Sequence, residues 1–343
     1  AGLTAMELGS LRHQLLEHLY ERLKARDGLD WGQVDPEKAA KLIDAWFAAE
    51  AVACGDRLRA LDRMLAEACA REMKLFVQGL CLAGRRSAFR QVAAERPFGA
   101  EDGAMRVRTP HLTFGLRGKI DRVDQYDSKT GPIQLVVDYK TGVHKLDLAR
   151  MVNGIDLQLV VYGMVQAAAL ASGHDAKGRI GGLFYWPMQA PWTEAQPGEA
   201  IESGAIEQEG INACKPSGLF EEDVVGLLDG EARPGEKSPV FPFSLTKKGD
   251  ISGTGRSHVS PGLIATLMKF QQTLLMDMVD RIAEGRIAVE PFEKGHEKAC
   301  HRCEFEAVCR RLEPEVERPR PIVGLDLKGL LEKMEEWRGE GRS

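Results

Sequence analysis

Among the charged residues of the segment 118–142, in a chain of 343 residues, two acids and one lysine are spaced so that they could act together. Asp121 lies in the first half of this segment, and Asp138 and Lys140 lie in the second half. Two acids and a lysine at the end of a buried strand are costly unless they have partners or bind a metal. Carboxylate oxygens suit a hard divalent cation, and a nearby lysine can stabilise negative charge. The segment therefore indicates a metal site with the means to act on an anionic substrate.

Both halves of this segment are rich in β-branched residues, which favours two strands. The spacer at residues 125–132 contains several turn-forming residues, so we expect a β-hairpin with a long connection. Asp138 and Lys140 are two positions apart and project from the same face of a strand. The apolar run Leu135-Val136-Val137 predicts that this strand is buried on both faces.

Composition and charge narrow the class of protein. The chain is 43% hydrophobic and 28% charged, as is usual for a globular domain with a sizeable core. It contains neither an apolar run long enough to span a bilayer nor an opening signal peptide, so we expect a cytoplasmic protein without a membrane partner. The formal net charge of −5 argues against coating of duplex DNA by charge alone. It does not exclude a nucleic-acid enzyme, because local grooves can differ from the total.

The N-terminal third has helical periodicity. Leucines recur at intervals of three and four over residues 3–24, which predicts an amphipathic helix with His13 and Glu17 on one face. Asp35 followed by Pro36 predicts the start of a second helix. A third helix is expected over about 56–80.

The pattern changes to strands from about residue 89. Strands are expected over 90–98, which includes Glu95, and over 105–109, 112–117, 179–188 and 241–245. A helix over 153–171 would place Gln158 and Tyr162 on one face. Further helices are expected over 218–228, from Ser260 to about 285 and over 324–338, with a proline-rich linker at 313–321.

Three of these segments together resemble one family. Together they resemble the PD-(D/E)xK superfamily of nucleases, in its RecB-type branch. The first is residues 118–124 followed by Val136-Val137-Asp138-Tyr139-Lys140-Thr141-Gly142, the second is Gly9-x-x-x-His13-x-x-Leu16-Glu17, and the third is Gln158-x-x-x-Tyr162. The alternative is a surface hairpin with incidental charges. The resemblance implies an α/β (α+β) fold with a restriction-endonuclease-like core, a central mixed sheet flanked by helices, an N-terminal helical part and a C-terminal cysteine-cluster segment.

The same resemblance implies a role for each motif residue. Asp121, Asp138, Lys140 and Gln158 are the implied catalytic residues. The implied ligands of Mg²⁺ or Mn²⁺ are His13, Asp121, Asp138 and the carbonyl of Tyr139. Glu95 is a candidate additional acid, with an exposed strand glutamate as the alternative. Tyr162 and Glu17 are implied as supporting residues.

Cys300, Cys303 and Cys309 form the pattern Cys-x2-Cys-x5-Cys, which is specific to metal or cluster binding but leaves a fourth position unfilled. With the preceding long helix, they resemble the C-terminal nuclease domain of AddB-type helicase–nuclease subunits. That resemblance implies a [4Fe–4S] cluster whose fourth ligand is not found in this chain and is expected before Ala1. Cys54, Cys69 and Cys81 are interpreted as small hydrophobic residues.

The resemblance implies hydrolysis of DNA, with a single strand as substrate, in recombination or repair beside an AddA-like helicase subunit. One alternative is an inactive nuclease-like DNA-binding or scaffold module, although all three motif residues are present. Another is an iron–sulfur redox protein, which would leave the acidic hairpin unexplained. The expected divisions are an N-terminal helical part (1–88), the nuclease core with its cysteine segment (89–312) and a linker with a terminal helix (313–343).

Overall fold

The computed structural model describes residues 3–54, 60–99, 106–110, 112–142, 144–172, 177–188, 214–252, 257–309 and 319–339. The chain forms two compact units. The first contains Ala1–Phe98, Gly118–Leu146 and Tyr162–Ile264, and the second contains Gly99–Arg117, Asp147–Val161 and Ala265–Ser343. The division at residues 88 and 312 that the sequence suggests stays a prediction. Among the helices that the structure describes, none is long and apolar enough to cross a membrane.

The strands are, in chain order, β1 Arg90–Phe98, β2 Arg106–Arg108, β3 Thr113–Gly115, β4 Gly118–Ser128, β5 Gly131–Lys140, β6 Arg179–Pro187, β7 Ser217–Glu221, β8 His258–Val259, β9 Phe292–Lys294, β10 Glu297–Lys298 and β11 Arg320–Pro321. The α-helices are α1 Ala5–Tyr20, α2 Pro36–Cys54, α3 Ala60–Arg86, α4 Leu148–Val152, α5 Gln158–Ser172, α6 Val225–Leu228, α7 Leu263–Ala283, α8 Glu306–Cys309 and α9 Leu327–Gly339.

A mixed six-stranded sheet in the order β1-β4-β5-β6-β7-β8 forms the centre of the first unit. β1, β4 and β5 pair antiparallel, β5 and β6 pair parallel, β6 and β7 antiparallel, and β7 and β8 parallel. A parallel pair needs a crossover connection, and the chain between β5 and β6 contains α4 and α5. The predicted fold class, a central mixed sheet with flanking helices, is confirmed.

The β4–β5 hairpin is tighter than predicted. The two strands pair from Arg122 with Val137 to Ser128 with Gly131, so only two residues form the turn. The expectation of a long connection over 125–132 was wrong, because Gly131 takes a left-handed backbone (φ +128°) that lets the turn close at once. The predicted burial of the following run is confirmed, since Leu135, Val136 and Val137 are at most 1% exposed.

The N-terminal helices pack their apolar faces into the core that also covers one face of the sheet. α1 begins after Thr4, which forms a capping box with Glu7, and the helical path continues as a π-helix over Glu21–Arg26. α2 begins at Pro36 as predicted. α3 begins at Ala60 and ends at Arg86, six residues later than expected, and residues 55–59 lie outside the described part.

Four predicted elements differ from the structure. Residues 217–221 form β7 rather than a helix, because Gly218 lies so close to β6 that a side chain there would meet the Leu183 carbonyl. The segment 241–245 makes only isolated bridges, because its phenylalanines turn into the core. The helix expected from 153 begins at Gln158 and the one expected from Ser260 begins at Leu263, since Gly154 (φ +75°) and Gly262 (φ +85°) interrupt the helical backbone.

In the second unit, α7 and α9 contact through Phe270 and Trp337, whose rings meet edge to face with centroids 5.6 Å apart. The Gln271 side chain donates to the carbonyl of Met151 in α4 over 3.0 Å. The predicted strand at 105–109 is confirmed as β2, which pairs with β3, and α9 confirms the predicted last helix. Part of the predicted linker is instead β11, which pairs with β9 in parallel, and residues 310–318 lie outside the described part.

Candidate active site

One row of side chains crosses the central sheet. The register that pairs Arg122 with Val137 places Asp121 opposite Asp138, and Asp138 pairs in turn with Tyr185 on β6. On the other side, β1 pairs with β4 so that Glu95 lies opposite Asp121. Residues opposite each other on neighbouring strands lie on the same face, so three acids stand side by side. The predicted convergence of Asp121 and Asp138 is a direct result of the hairpin register.

The two hairpin acids are buried, with Asp121 7% and Asp138 1% exposed. One oxygen of Asp121 accepts a hydrogen bond from the backbone N–H of Tyr139 over 2.7 Å. Burial, and then the negative charge of Asp138, raise the pKa of Asp121 to about 8. Burial also raises the pKa of Asp138, although Lys140 opposes the shift. Two carboxylates in this setting cannot both ionise cheaply, so the pair favours a proton or a cation between them.

His13 reaches the acids from α1. Its Nδ1 lies 3.0 Å from an oxygen of Glu95 and 3.7 Å from an oxygen of Asp121. Burial alone would lower the pKa of His13, but the hydrogen bond to Glu95 and the charges of the nearby carboxylates outweigh it and raise that pKa. His13, Glu95 and Asp121 offer ligand atoms that all lie within 4.8 Å of one another. The sequence-predicted His13 and Glu95 therefore meet Asp121 in one cluster.

Gly9 explains how α1 comes so close to the hairpin. A side-chain carbon at Gly9 would lie 3.0 Å from Cγ2 of Thr141, directly after β5. Carbon atoms in ordinary contact are about 3.5–4.0 Å apart, so a larger residue at position 9 would require the Thr141 side chain or the helix to shift by a few tenths of an ångström. His13 follows one turn later, on the same side of the helix. The glycine of the Gly-x-x-x-His motif thus sets the position of the histidine over Asp121.

Glu95 has an unusual backbone. Its φ of +46° is the one positive φ of a non-glycine residue in the described ranges. For a residue with a long side chain this conformation costs roughly 1 kcal/mol. Burial raises the pKa of Glu95, but hydrogen bonds from His13 and Lys119 outweigh it and lower that pKa. The interactions of its carboxylate hold this strained residue at the cluster, which argues against the alternative of an exposed strand glutamate.

Lys140 lies beside Asp138. Its Nζ is 2.5 Å from Oδ2 of Asp138 and 5.1 Å from the centre of the Tyr185 ring. The ring face and the carboxylate fix the ammonium group at the edge of the acidic row. The side chain is 24% exposed, so its charge can also reach a bound substrate.

Glu17 and Lys119 line the open side of the cluster. They border a cavity of about 480 Å³ that also contacts His13 and Glu95. Lys119 Nζ lies 3.0 Å from Glu95 and 3.9 Å from Glu17. The sequence predicted Glu17 as a supporting residue but did not single out Lys119. The signal was present, because Lys119 is two positions before Asp121 and therefore on the same face of β4.

A buried ion pair behind the acids was also not anticipated. Arg122 donates to both oxygens of Asp124 over 2.7 and 2.9 Å, and to the hydroxyl of Tyr139 over 3.2 Å. Its guanidinium also lies over the ring of Trp186, at 5.3 Å from the centroid. Burial raises the pKa of Tyr139 to about 12, so the hydroxyl stays protonated. These contacts fix the Tyr139 ring, while the role of its carbonyl as a metal ligand stays a prediction.

Gln158 and Tyr162 lie one turn apart on α5. Gln158 is the first residue of this helix and is exposed. Tyr162 is 8% exposed, and its ring meets Phe98 edge to face at 5.8 Å. This contact agrees with the supporting role predicted for Tyr162. A position of Gln158 near the acids stays a prediction.

The three clustered cysteines lie in short elements of the second unit. Cys300 is in a 3-10 turn over Ala299–Arg302, Cys303 follows it, and Cys309 ends α8. Cys303 is exposed, and the other two are partly exposed. Among the described residues, these three sulfur atoms do not form a group with mutual distances below 4.8 Å. A [4Fe–4S] cluster and its fourth ligand therefore stay predictions.

Cys69 and Cys81 lie in the core of the first unit and are at most 1% exposed. Burial raises the pKa of both thiols to about 11. Their interpretation as small hydrophobic residues is confirmed. The side chain of Cys54, which received the same interpretation, lies outside the described part.

A mixed sheet whose hairpin brings Asp121 beside Asp138-x-Lys140 has the defining arrangement of a PD-(D/E)xK nuclease. The family profile of the PD-(D/E)XK nuclease superfamily matches residues 1–310. The chain belongs to this superfamily, and the resemblance stated from its motifs is confirmed.

Curated relatives agree with the family. Proteins named as subunits of an ATP-dependent helicase/deoxyribonuclease match about 90% of this chain. The relative from Anoxybacillus flavithermus is 26% identical over 325 residues, the one from Clostridium perfringens 24% over 315, and the one from Desulforamulus reducens 27% over 314. The chain spans 27% of the length of each of these relatives. The resemblance to AddB-type subunits is thereby confirmed for this part of their length.

Proposed function

We propose that this chain hydrolyses phosphodiester bonds in DNA with the help of Mg²⁺ or Mn²⁺, as the nuclease part of a helicase–nuclease subunit. One observation carries the proposal. His13, Glu95 and Asp121 present ligand atoms within 4.8 Å of one another, beside buried Asp138 and its ion-pair partner Lys140. A surface hairpin with incidental charges would not gather these residues from a helix and three strands.

The donor set fits a hard divalent cation. It consists of carboxylate oxygens and one imidazole, which suits Mg²⁺ and Mn²⁺ better than a soft metal. The raised pKa of Asp121 results in part from negative charge crowded at this point of the sheet. His13, Asp121, Asp138 and the carbonyl of Tyr139 are the proposed ligands, with Glu95 as an additional acid. A cation held by them would supply Lewis acidity and neutralise charge on a phosphate.

The remaining residues act around this centre. Lys140 carries a positive charge at the edge of the acidic row, where it stabilises the charge that develops on phosphorus during attack by water. Glu95 and Lys119 hold each other at 3.0 Å, which keeps the open side of the cluster ordered. We propose that Gln158 orients the substrate or the lysine, and that Glu17 and Tyr162 support the elements that carry the site.

DNA is proposed as the substrate because the relatives are named as helicase/deoxyribonuclease subunits. A single strand is the preferred form, since a helicase partner would deliver one. We propose an AddA-like subunit as that partner, and the cytoplasm as the location.

Release of nucleotides from a labelled DNA strand tests the proposal, with Mg²⁺, Mn²⁺ and EDTA compared in parallel. Cleavage by the wild-type chain with either metal, and its loss in EDTA and in Asp138→Asn, would support a nuclease. Binding of DNA without cleavage in any metal would instead support the inactive scaffold.

A further inference from the structure

A second cavity lies in the first unit, formed by residues before β7 and by the loop that precedes β8. It has a volume of about 230 Å³, and its walls include two lysines, three serines, a histidine and two phenylalanines. The basic side chains are Lys215, Lys237 and His258. The motif residues of the nuclease site do not line it.

The loop that carries Lys237 is firmly anchored. The hydroxyl of Ser238 donates to buried Asp229 over 2.6 Å and accepts from the backbone N–H of Phe241 over 3.1 Å. Asp229 is in turn paired with Arg86 at 2.9 Å. Lys237 is thus presented from a fixed backbone next to Ser238, although its own side chain is exposed.

Lys215 approaches from the other side and is half-buried. Its Nζ donates to the carbonyl of Ser238 over 2.9 Å, which uses one of its three donors. Burial, and then the positive charge of Lys237, lower the pKa of Lys215. Within the described ranges, neither Lys215 nor Lys237 has a carboxylate within 4.0 Å. An oxygen of Glu222 lies 3.9 Å from Nε2 of His258, and the carboxylate of Asp229 is used by Ser238 and Arg86.

Two lysines at one cavity, neither paired with a carboxylate within 4.0 Å in the described ranges, can bind an anion. The cavity is of the size of a small polar group, and Phe241 and Phe243 form an apolar wall. A phosphate ester has this combination of features: an anionic group for the ammonium donors and an attached sugar or base for the apolar wall. A carboxylate ligand would use the lysines but leave the wall without a role.

The cavity lies at the same end of the sheet as the acids. Ser217 pairs with Tyr185, and Tyr185 pairs with Asp138, so Ser217 is two strands from Asp138 in the same row. Two strand spacings of about 4.8 Å separate their backbones by about 10 Å. Lys215 is two residues before Ser217, so the cavity begins near that end of the sheet. Its wall lies on the other face, because Phe241 packs on Phe184 and Trp186, whose side chains point away from the face of Asp138.

We propose that Lys215 and Lys237 bind a phosphate group of a nucleotide, separate from the phosphate that is cleaved. One source of this phosphate is a DNA strand that runs from the active site around the end of the sheet, and that part rests on the proposed function. A free mononucleotide has the same chemistry and is the other source to be distinguished.

The test compares Lys237→Ala with Lys248→Ala, an exposed lysine of the next loop that does not line the cavity. Binding of a labelled single-stranded oligonucleotide is measured in EDTA by fluorescence anisotropy at several salt concentrations. We expect Lys237→Ala to weaken binding roughly fivefold and to lower the slope of log K against log salt by about 0.7, since one phosphate contact is lost. Lys248→Ala should match the wild type. Lys215→Met should repeat the effect if it folds, and Lys237→Ala carries the test if it does not.

A second arm titrates the same variants with inorganic phosphate and with deoxythymidine monophosphate by calorimetry. Loss of mononucleotide binding in Lys237→Ala, with unchanged oligonucleotide binding, would assign the site to a free nucleotide. Wild-type behaviour of Lys237→Ala in both arms would overturn the inference.

A parallel cleavage assay separates the two proposals. If the wild type cleaves DNA while Lys237→Ala binds normally, only this inference fails. If Lys237 is needed for binding but the wild type cleaves nothing, only the proposed function fails.

Discussion

The acidic hairpin and the cysteine segment both carry motifs of specific spacing, but they are positioned in different ways. Asp121 and Asp138 are buried on paired strands of a six-stranded sheet. Cys300, Cys303 and Cys309 lie in a 3-10 turn, an irregular stretch and a helix of 4 residues, each at least partly exposed. The sheet register brings the acids together, whereas the three cysteines lie on short elements with little regular pairing around them.

This difference follows from where the energy of each arrangement comes from. Apolar burial and strand pairing stabilise the hairpin, so it can hold two carboxylates that disfavour each other. Short exposed elements provide little such energy, and a cluster bound there would contribute its binding energy directly to folding. Mutation of the preformed acidic site should thus change activity while the fold stays intact. Mutation of the cysteine segment should change stability only when a cluster is bound.

The strongest test of the preformed site is loss of activity without loss of fold. Asp121→Ala and Asp138→Ala should each lower DNA cleavage by at least about 10³-fold, because each removes a proposed ligand of the metal ion. Lys140→Ala should lower it by roughly 10²–10³-fold, because it removes the positive charge that stabilises the reacting phosphate. Steady-state cleavage rates and circular dichroism check this together. Lys129→Ala, at the exposed turn of the same hairpin, is the matched control. Full activity of any of the three site variants would contradict the assignment of these residues to the nuclease active site.

The pH dependence of stability gives a second test of the two neighbouring acids. The pKa of Asp121 is raised from 3.8 to about 8, so the folded state favours the protonated acid. The free energy of unfolding of the metal-free chain should therefore fall as pH rises between these values. The raised pKa of His13 acts in the same direction above pH 6.5. Urea titrations in EDTA at pH 5 and pH 8 measure the change, and Asp121→Asn should remove most of it. An equal pH dependence in that variant would contradict the cause.

His13 distinguishes a metal ligand from a packing residue. His13→Ala should weaken binding of Mn²⁺ about tenfold or more, equal to roughly 1.4 kcal/mol, while the midpoint of thermal unfolding without metal changes little. Calorimetric titration compares it with His18→Ala, an exposed histidine on the same helix. Identical affinities for wild type and His13→Ala would return His13 to a structural role.

The smallest effect is expected at the cysteine segment. Replacement of Cys300, Cys303 and Cys309 by serine should change the free energy of unfolding by less than about 0.5 kcal/mol, as for other exposed positions. Iron and labile sulfide, measured after anaerobic purification, should be well below a full cluster per chain. Four irons per chain, stable in air, would contradict this prediction and show that the segment binds a complete cluster. The fourth ligand would then be sought among the remaining cysteines.

The sequence predicted the parts of the site that depend on local periodicity. His13 on its helix, and Asp138 and Lys140 on one face of a buried strand, follow from spacings of 3.6 and 2. It did not predict the tight turn before Gly131 or the break at Gly154, because a glycine can permit an unusual backbone without requiring one. It also missed the role of Lys119, whose partner Glu95 comes from a distant strand.

The contact between Gly9 and Thr141 has a consequence for transfer of this site to other proteins. A side-chain carbon at position 9 would be 3.0 Å from Thr141, so the small size of glycine favours the close approach of the helix to the hairpin. A histidine grafted onto a new scaffold would need the same clearance one turn earlier. The transferable unit is therefore a helix and a strand end that touch through a glycine, and the ligands follow from that spacing.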